Sequence, residues 1–160
     1  MPRNKGKKFE NCIQLGFEKV QDLICWDRVK DNMGKLKGVK GICDFISFYR
    51  GNLFYLECKS TKGKSLSFAN FTETQFEGLI QKSVYPNVRC GALIWFVDHD
   101  VNVWIDIRVL DKFRRNSQKK SINLDDIEKI PHVDLKSEKN RVYFKYDMLA
   151  ILEDILREKI

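Results

Sequence analysis

Residues 90–97 read Cys-Gly-Ala-Leu-Ile-Trp-Phe-Val, a near-continuous apolar run of strand length. A strand that is apolar at odd and even positions alike has no face to offer water, so it belongs at the centre of a sheet covered on both sides. The flanking segments supply what such a strand needs. After Asp98-His99-Asp100, Val101, Val103, Ile105, Ile107 and Val109 alternate with polar or large residues, predicting a partner strand. Residues 42–49 and 53–59 are rich in β-branched and aromatic side chains, and Arg50-Gly51-Asn52 between them is turn chemistry, predicting a β-hairpin.

Helices are predicted around these strands. Behind Asn4 as N-cap, Phe9, Cys12, Ile13, Phe17, Val20 and Ile24 recur at three- and four-residue steps, giving an amphipathic helix over 5–24. Thr72-Glu73-Thr74-Gln75 has the form of a capping box before Phe76, Leu79 and Ile80, giving a second helix over 73–85. Asp147 opens a last helix through Leu149, Leu152, Ile155 and Leu156. Residues 28–41, with Gly34, Gly38 and Gly41 among lysines, read as a basic loop, and 111–140 as a polar and basic stretch. The 160 residues suffice for one core, so a single α/β domain over 1–160 is expected.

Several function classes drop out. The longest uninterrupted apolar run, 92–97, is far below the roughly 20 residues that span a bilayer. No apolar core follows Met1-Pro2-Arg3-Asn4, so no secretory signal is read, no membrane partner is expected and the expected location is the cytoplasm. Five cysteines, odd in number and never in a C-x-x-C pair, argue for reduced thiols rather than disulfides or zinc. His99 and His132 stand apart in polar segments, which disfavours histidine-based hydrolysis. With 29 Lys and Arg against 22 Asp and Glu, the formal charge of +7 makes polyanions the first partners to consider.

The hairpin carries the chemistry. Glu57 and Lys59, two apart on one strand, project from the same face. An Arg50-Gly51 turn sets Asp44 opposite Glu57, and a Gly51-Asn52 turn sets it opposite Lys59; either puts all three on one face. Carboxylates opposed across an antiparallel pair repel, a cost a fold tolerates when a cation lies between them. Mg²⁺ fits that demand through oxygen ligands, retained waters and a substrate phosphate. Asp44 and Glu57 would hold the ion, which polarises the phosphate and acidifies the attacking water, while Lys59 orients that water or stabilises developing charge. The Asp-x12-Glu-x-Lys spacing alone recurs about once by chance in a chain so charged, and a salt-bridged hairpin face is the alternative. Two carboxylates emerging from apolar strands, where an unpaired one is expensive, favour the site.

Asn4-Lys5-Gly6-Lys7-Lys8-Phe9-Glu10, Asp44, Glu57-Cys58-Lys59-Ser60-Thr61-Lys62-Gly63-Lys64-Ser65, Gln75 and Lys120-Ser121-Ile122 together resemble RecU-type Holliday junction resolvases of the PD-(D/E)xK nuclease superfamily, with a looser likeness to short phage-encoded forms. The resemblance implies a restriction-endonuclease-like α/β core, with a mixed central sheet and a catalytic β-hairpin flanked by helices. It implies a homodimeric, Mg²⁺-dependent endonuclease, with Mn²⁺ as a substitute, that nicks four-way DNA junctions symmetrically in recombination and repair. The catalytic set is then Asp44, Glu57 and Lys59, and the metal set Asp44, Glu57 and Gln75. Gln75 equally fits a purely capping job, and Glu10 is either an accessory site residue or a solvated helix position. Two departures stand out. Ile42 replaces the threonine the family often has two residues before the aspartate, and 28–41 is short for the stalk that enters the junction.

The basic residues Arg28, Lys35, Lys37, Lys40, Lys62, Lys64, Arg114, Arg115, Lys119 and Lys120 are candidates to neutralise DNA phosphates. Among Trp26, Trp95 and Trp104, any of which could stack on bases, Trp95 belongs to the core strand. Two other functions compete: a restriction-like or exonucleolytic enzyme using the same site, and a non-catalytic basic DNA-binding protein. A homodimer is expected because two-fold nicks on a two-fold junction need two sites.

Overall fold

A computed structural model of the chain describes residues 4–29 and 41–159. In chain order the elements are α1 (Lys5–Glu18), β1 (Cys25–Arg28), β2 (Phe45–Tyr49), β3 (Asn52–Thr61), β4 (Ser65–Ser67), α2 (Glu73–Ser83), β5 (Val88–Phe96), β6 (Val101–Asp106), α3 (Ile107–Ser117), β7 (Ser121–Asn123), α4 (Leu124–Ile127), β8 (Val133–Asp134), β9 (Ser137–Asn140), β10 (Tyr143–Tyr146) and α5 (Met148–Arg157). Among the described residues one sheet runs in the order β1-β2-β3-β5-β6-β8. Its β3–β5 pair is parallel and the others are antiparallel. A β4–β7 ribbon and a β9–β10 hairpin stand apart from it.

The apolar run lies where its pattern requires, as strand β5 between β3 and β6. Leu93 and Trp95 enter a core shared with α1 and α5, through Phe9, Ile13, Phe17, Ile151 and Leu152. Cys90, Ala92, Ile94 and Phe96 enter a second core shared with α2 and α3, through Phe76, Leu79, Val109 and Leu110. Continuous apolarity thus reflects two cores, one on each face of the strand. The same parity governs β3: Phe54, Leu56 and Cys58 face the α1–α5 layer, leaving Tyr55 and the residues in phase with it on the α2 side.

Several predicted boundaries shift, and the first hairpin strand, expected from residue 42, begins only at Phe45 and so leaves Asp44 just outside it. α1 ends at Glu18, and Val20 and Ile24 reach the α1–α5 core from turns in which Leu23 and Ile24 donate to Val20 O. β6 ends at Asp106, whose carboxylate accepts from Arg108 N and caps α3, so Ile107 and Val109 belong to the buried face of that helix. Helix α2 stops at Ser83. Short elements also occupy 111–140, and β1, ending at Arg28, lies within a stretch that carried no predicted strand. The Asp147 cap on α5 and the Thr72–Gln75 capping box are as expected. Trp104 is buried like Trp95, and Trp26 stacks on Phe17 at 5.4 Å, so neither matches the expectation of a free base-stacking ring. Cys43, Cys58 and Cys90 are buried, Cys12 is partly so and Cys25 is exposed; all five are free thiols. No helix among the described residues is long and apolar enough to cross a membrane.

Candidate active site

The hairpin turn is Arg50-Gly51, both residues at positive φ (48° and 73°), the combination that matches the twist of a two-residue hairpin. Tyr49 therefore pairs with Asn52 and Phe45 with Leu56. Continuing that register sets Asp44 opposite Glu57, the first of the two alternatives. Asp44 lies just before β2, tied by its N–H to Leu56 O at 3.0 Å and by its Oδ2 to the Cys58 N–H at 2.8 Å.

Glu57 and Lys59 project toward α2, whose first turn supplies Gln75. Lys59 Nζ lies 2.9 Å from Glu57 Oε1, and Gln75 Nε2 donates to the same oxygen at 2.9 Å. Gln75 Oε1 accepts from Lys59 Nζ at 3.2 Å and from the Thr72 N–H at 3.1 Å. The side chain is thus both half of a capping box and a shared partner of the acid and the lysine, which also touch each other directly. Lys59 also lies over the Phe71 ring at 5.1 Å. Helix α2 comes this close because Gly78 has no Cβ, which would collide with Ile42. Ile42, at the position of the family's threonine, is a packing residue.

Glu57 is only 2% exposed, and its Oε2 is buried without a hydrogen-bond partner among the described residues. Burial, and next the Asp44 charge, push its carboxyl up to about 8 against the pull of Lys59. Asp44 is pushed up to about 6, chiefly by burial and secondarily by Glu10, against the hydrogen bond from Cys58. A buried carboxylate oxygen with no donor, opposed to a second carboxylate, is the arrangement a hard cation would relieve. Among the described residues no cluster of three His, Cys, Asp or Glu side chains forms a metal site, so the oxygen donors on offer are this pair. Gln75 contributes an oxygen only if its amide turns over, since that oxygen now serves Thr72 and Lys59.

A cleft of about 580 Å³ opens beside Asp44 and Gln75, with Lys7, Glu10 and Arg28 on its walls. Glu10 lies at the cleft rather than in open solvent. Arg28 reaches across from β1 to Glu10 at 2.9 Å, Gln14 at 2.7 Å and Asn11 at 2.8 Å. Sequence reasoning missed this cluster, because nothing local links an arginine to a helix so far upstream until β1 is known to pair with β2.

The basic candidates divide. Lys62, Lys64 and Lys120 are exposed at the two ends of the β4–β7 ribbon: Lys62 and Lys64 at one end, where Leu124 N donates to Lys64 O, and Lys120 at the other, where Phe68 N donates to Lys120 O. Arg114 and Arg115 are tied to Asp111, Arg114 also lies over Phe76 at 4.1 Å, and Lys119 is paired with Asp126 at 2.7 Å. Arg28 is committed to α1. Lys35, Lys37 and Lys40 lie outside the described residues.

Three similarities bear on this chain. The structure of Hjc from Archaeoglobus fulgidus, a Holliday junction resolvase, superposes with a TM-score of 0.54 at 13% identity, over 78% of this chain and 93% of that one. The shared fold is of the restriction-endonuclease-like type, as the resemblance implied. The SPbeta prophage-derived uncharacterized protein YotM of Bacillus subtilis (strain 168) is 32% identical over 108 residues, 63% of this chain. That match spans about half of the relative's length, 54%. A sequence model of Recombination protein U matches residues 33–148, most of the chain and both strands of the hairpin. The chain belongs to the RecU family.

Proposed function

We propose that this chain is a Holliday junction resolvase: a single-domain, metal-dependent endodeoxyribonuclease that nicks four-way junctions symmetrically as a homodimer in the cytoplasm. Family membership and the fold shared with a resolvase support the reading. The observation that carries it is Glu57, a buried carboxylate with an unpartnered oxygen, opposite Asp44 and beside Lys59.

Asp44 and Glu57 are the residues that would hold the ion, magnesium with manganese as a substitute. When bound there, the metal supplies Lewis acidity at the scissile phosphate and an acidified water. The Cys58 N–H fixes the orientation of the Asp44 carboxylate, which would hold the cation through its other oxygen or alongside that bond. Lys59, 2.9 Å from Glu57 Oε1, favours the ionised form of Glu57 that would bind a cation. Gln75 keeps the Lys59 ammonium at the acid pair, where it can meet negative charge developing on the phosphate. Glu10 would serve as an accessory acid on the cleft wall, and the exposed lysines of the β4–β7 ribbon as phosphate contacts.

The test is cleavage of a mobile four-way junction, a flap, a fork and a linear duplex with Mg²⁺ present or chelated. Paired symmetric nicks confined to the junction are the expected result. Equal cutting of every duplex would instead assign a restriction-like or exonucleolytic role. Binding without metal-dependent cutting, unaltered by Asp44→Asn and Lys59→Ala, would leave only a DNA-binding protein.

A further inference from the structure

The geometry points to a second binding surface, remote in chemistry from the acid site: an apolar groove of about 550 Å³ between α3 and the segment after α4, which we propose docks an acidic peptide carrying bulky apolar side chains. This inference does not rest on the nuclease reading.

Helix α3 presents Val109, Lys112, Phe113 and Asn116 to the groove, the i, i+3, i+4, i+7 positions that form one stripe of a helix. The opposite wall is Ile130-Pro131, where the Ile130 carbonyl accepts from the His132 ring at 2.9 Å and Pro131 has no N–H to satisfy. Phe113 and Ile130 pack at the edge of the α2–α3 core, so the floor is continuous with a rigid interior. Every charged residue on the lining is a cation: Arg108, Lys112 and Lys129. Arg108 already leans on Asp106 at 3.1 Å, but none of the ion pairs among the described residues involves Lys112 or Lys129.

An apolar floor under a rim of one sign selects its occupant. A DNA duplex satisfies the rim with phosphates but offers nothing to bury against Val109, Phe113 and Ile130. A basic peptide meets repulsion, and a neutral one leaves the rim unanswered. Alternating carboxylates and large apolar side chains match both, with the apolar anchors giving affinity and the rim giving steering and register.

The experiment uses the full chain and a fluorescein-labelled decapeptide in which Glu alternates with Leu and Phe, followed by anisotropy and by amide shift mapping. The acidic peptide is expected to bind, to shift the amides of Val109, Phe113 and Ile130, and to outcompete both its Lys-for-Glu counterpart and a Glu–Ser version. Combined Lys112→Glu and Lys129→Glu, or Asn116→Trp filling the groove, is expected to weaken it about tenfold or more, while melting temperature and junction cleavage stay unchanged. Binding of the two control peptides as tightly as the acidic one would overturn the proposal. So would acidic-peptide binding insensitive to all three substitutions, or a single-stranded oligothymidylate that shifts the groove amides in the peptide's place.

Discussion

Asp44 and Glu57 face each other at the open end of the hairpin, and each carboxyl is held above its ordinary range by burial, with repulsion between the two adding to the shift at Glu57. In the absence of metal this pair is a strain on the fold rather than a support. Asp44→Asn or Glu57→Gln should therefore separate function from stability. Each is expected to lower Mg²⁺-dependent cleavage about a hundredfold or more, because the proposed metal-holding pair loses one of its two negative charges. Each should also raise the melting temperature of the metal-free protein at pH 8 by several degrees, about 1 kcal/mol being worth roughly 2–4 °C in a domain of this size. Calorimetry in chelator beside cleavage assays checks both halves; equal loss of stability and activity would mark the pair as structural.

The pH dependence has a definite sign. Glu57 and Asp44 bind protons more tightly in the folded chain, at about 8 and about 6, than at their ordinary values of 4.5 and 3.8. The folded state then carries more protons than the unfolded one between those limits, so stability is full below about pH 4 as far as this pair is concerned and is lost as pH rises through 6 and then 8. Melting temperature in chelator should fall from pH 5 to pH 8.5, and Glu57→Gln should flatten the upper part of that fall. Adding Mg²⁺ should restore more stability at pH 8 than at pH 5, since metal and proton compete for the same oxygens.

Salt dependence should sort the cations by whether they already have partners. Lys62, Lys64 and Lys120 are exposed on or beside the β4–β7 ribbon, whereas Arg115 and Lys119 are engaged with Asp111 and Asp126. If the first group touches phosphates, each change to Ala lowers the slope of log affinity against log salt by about 0.9. Arg115→Ala and Lys119→Ala should move it less, because their ion pairs must be broken before a phosphate can be met. Binding of an uncleaved junction by the Asp44→Asn protein at several salt concentrations gives these slopes directly.

The large features of the fold were legible because they follow from burial. The 90–97 run had to be a central strand, and the capping box at Thr72 had to open a helix. The register of the hairpin was not legible: Arg50-Gly51 and Gly51-Asn52 are both competent turns, and the choice depends on Arg50 adopting positive φ within the folded sheet. Residues 111–140 escaped because β8 and β9 are two and four residues long and mostly exposed, so no alternation exists to be read. At the site, Asp44, Glu57 and Lys59 were readable from spacing within one hairpin, and a capping box betrayed the place of Gln75. The link between Arg28 and Glu10 was not, because it is made in space by β1 pairing with β2.

Gln75 has two jobs at once, and Thr72 shares only one of them. Thr72 Oγ1 accepts from the Gln75 N–H at 3.1 Å, and Gln75 Oε1 returns the bond to the Thr72 N–H at 3.1 Å. Thr72→Ala breaks the cap but leaves Gln75 Nε2 on Glu57 and Lys59 Nζ on Gln75. Gln75→Ala keeps the bond from the N–H of residue 75 to Thr72 Oγ1, loses only its return half, and removes the amide from both Glu57 and Lys59, which stay paired at 2.9 Å. Each should cost stability of about 1 kcal/mol, the ordinary worth of an N-cap interaction. Cleavage should divide them: near-normal turnover for Thr72→Ala, and a loss of about tenfold or more for Gln75→Ala, as the lysine loses one of its two acceptors and is held by Glu57 alone. Mg²⁺ titration then separates positioning from ligation. If Gln75 turns its oxygen to the ion, Gln75→Ala weakens metal affinity as well as the rate at saturating metal. If it only aims Lys59, metal affinity is unchanged and the rate alone falls. Equal cleavage by the two variants would reduce Gln75 to a helix cap.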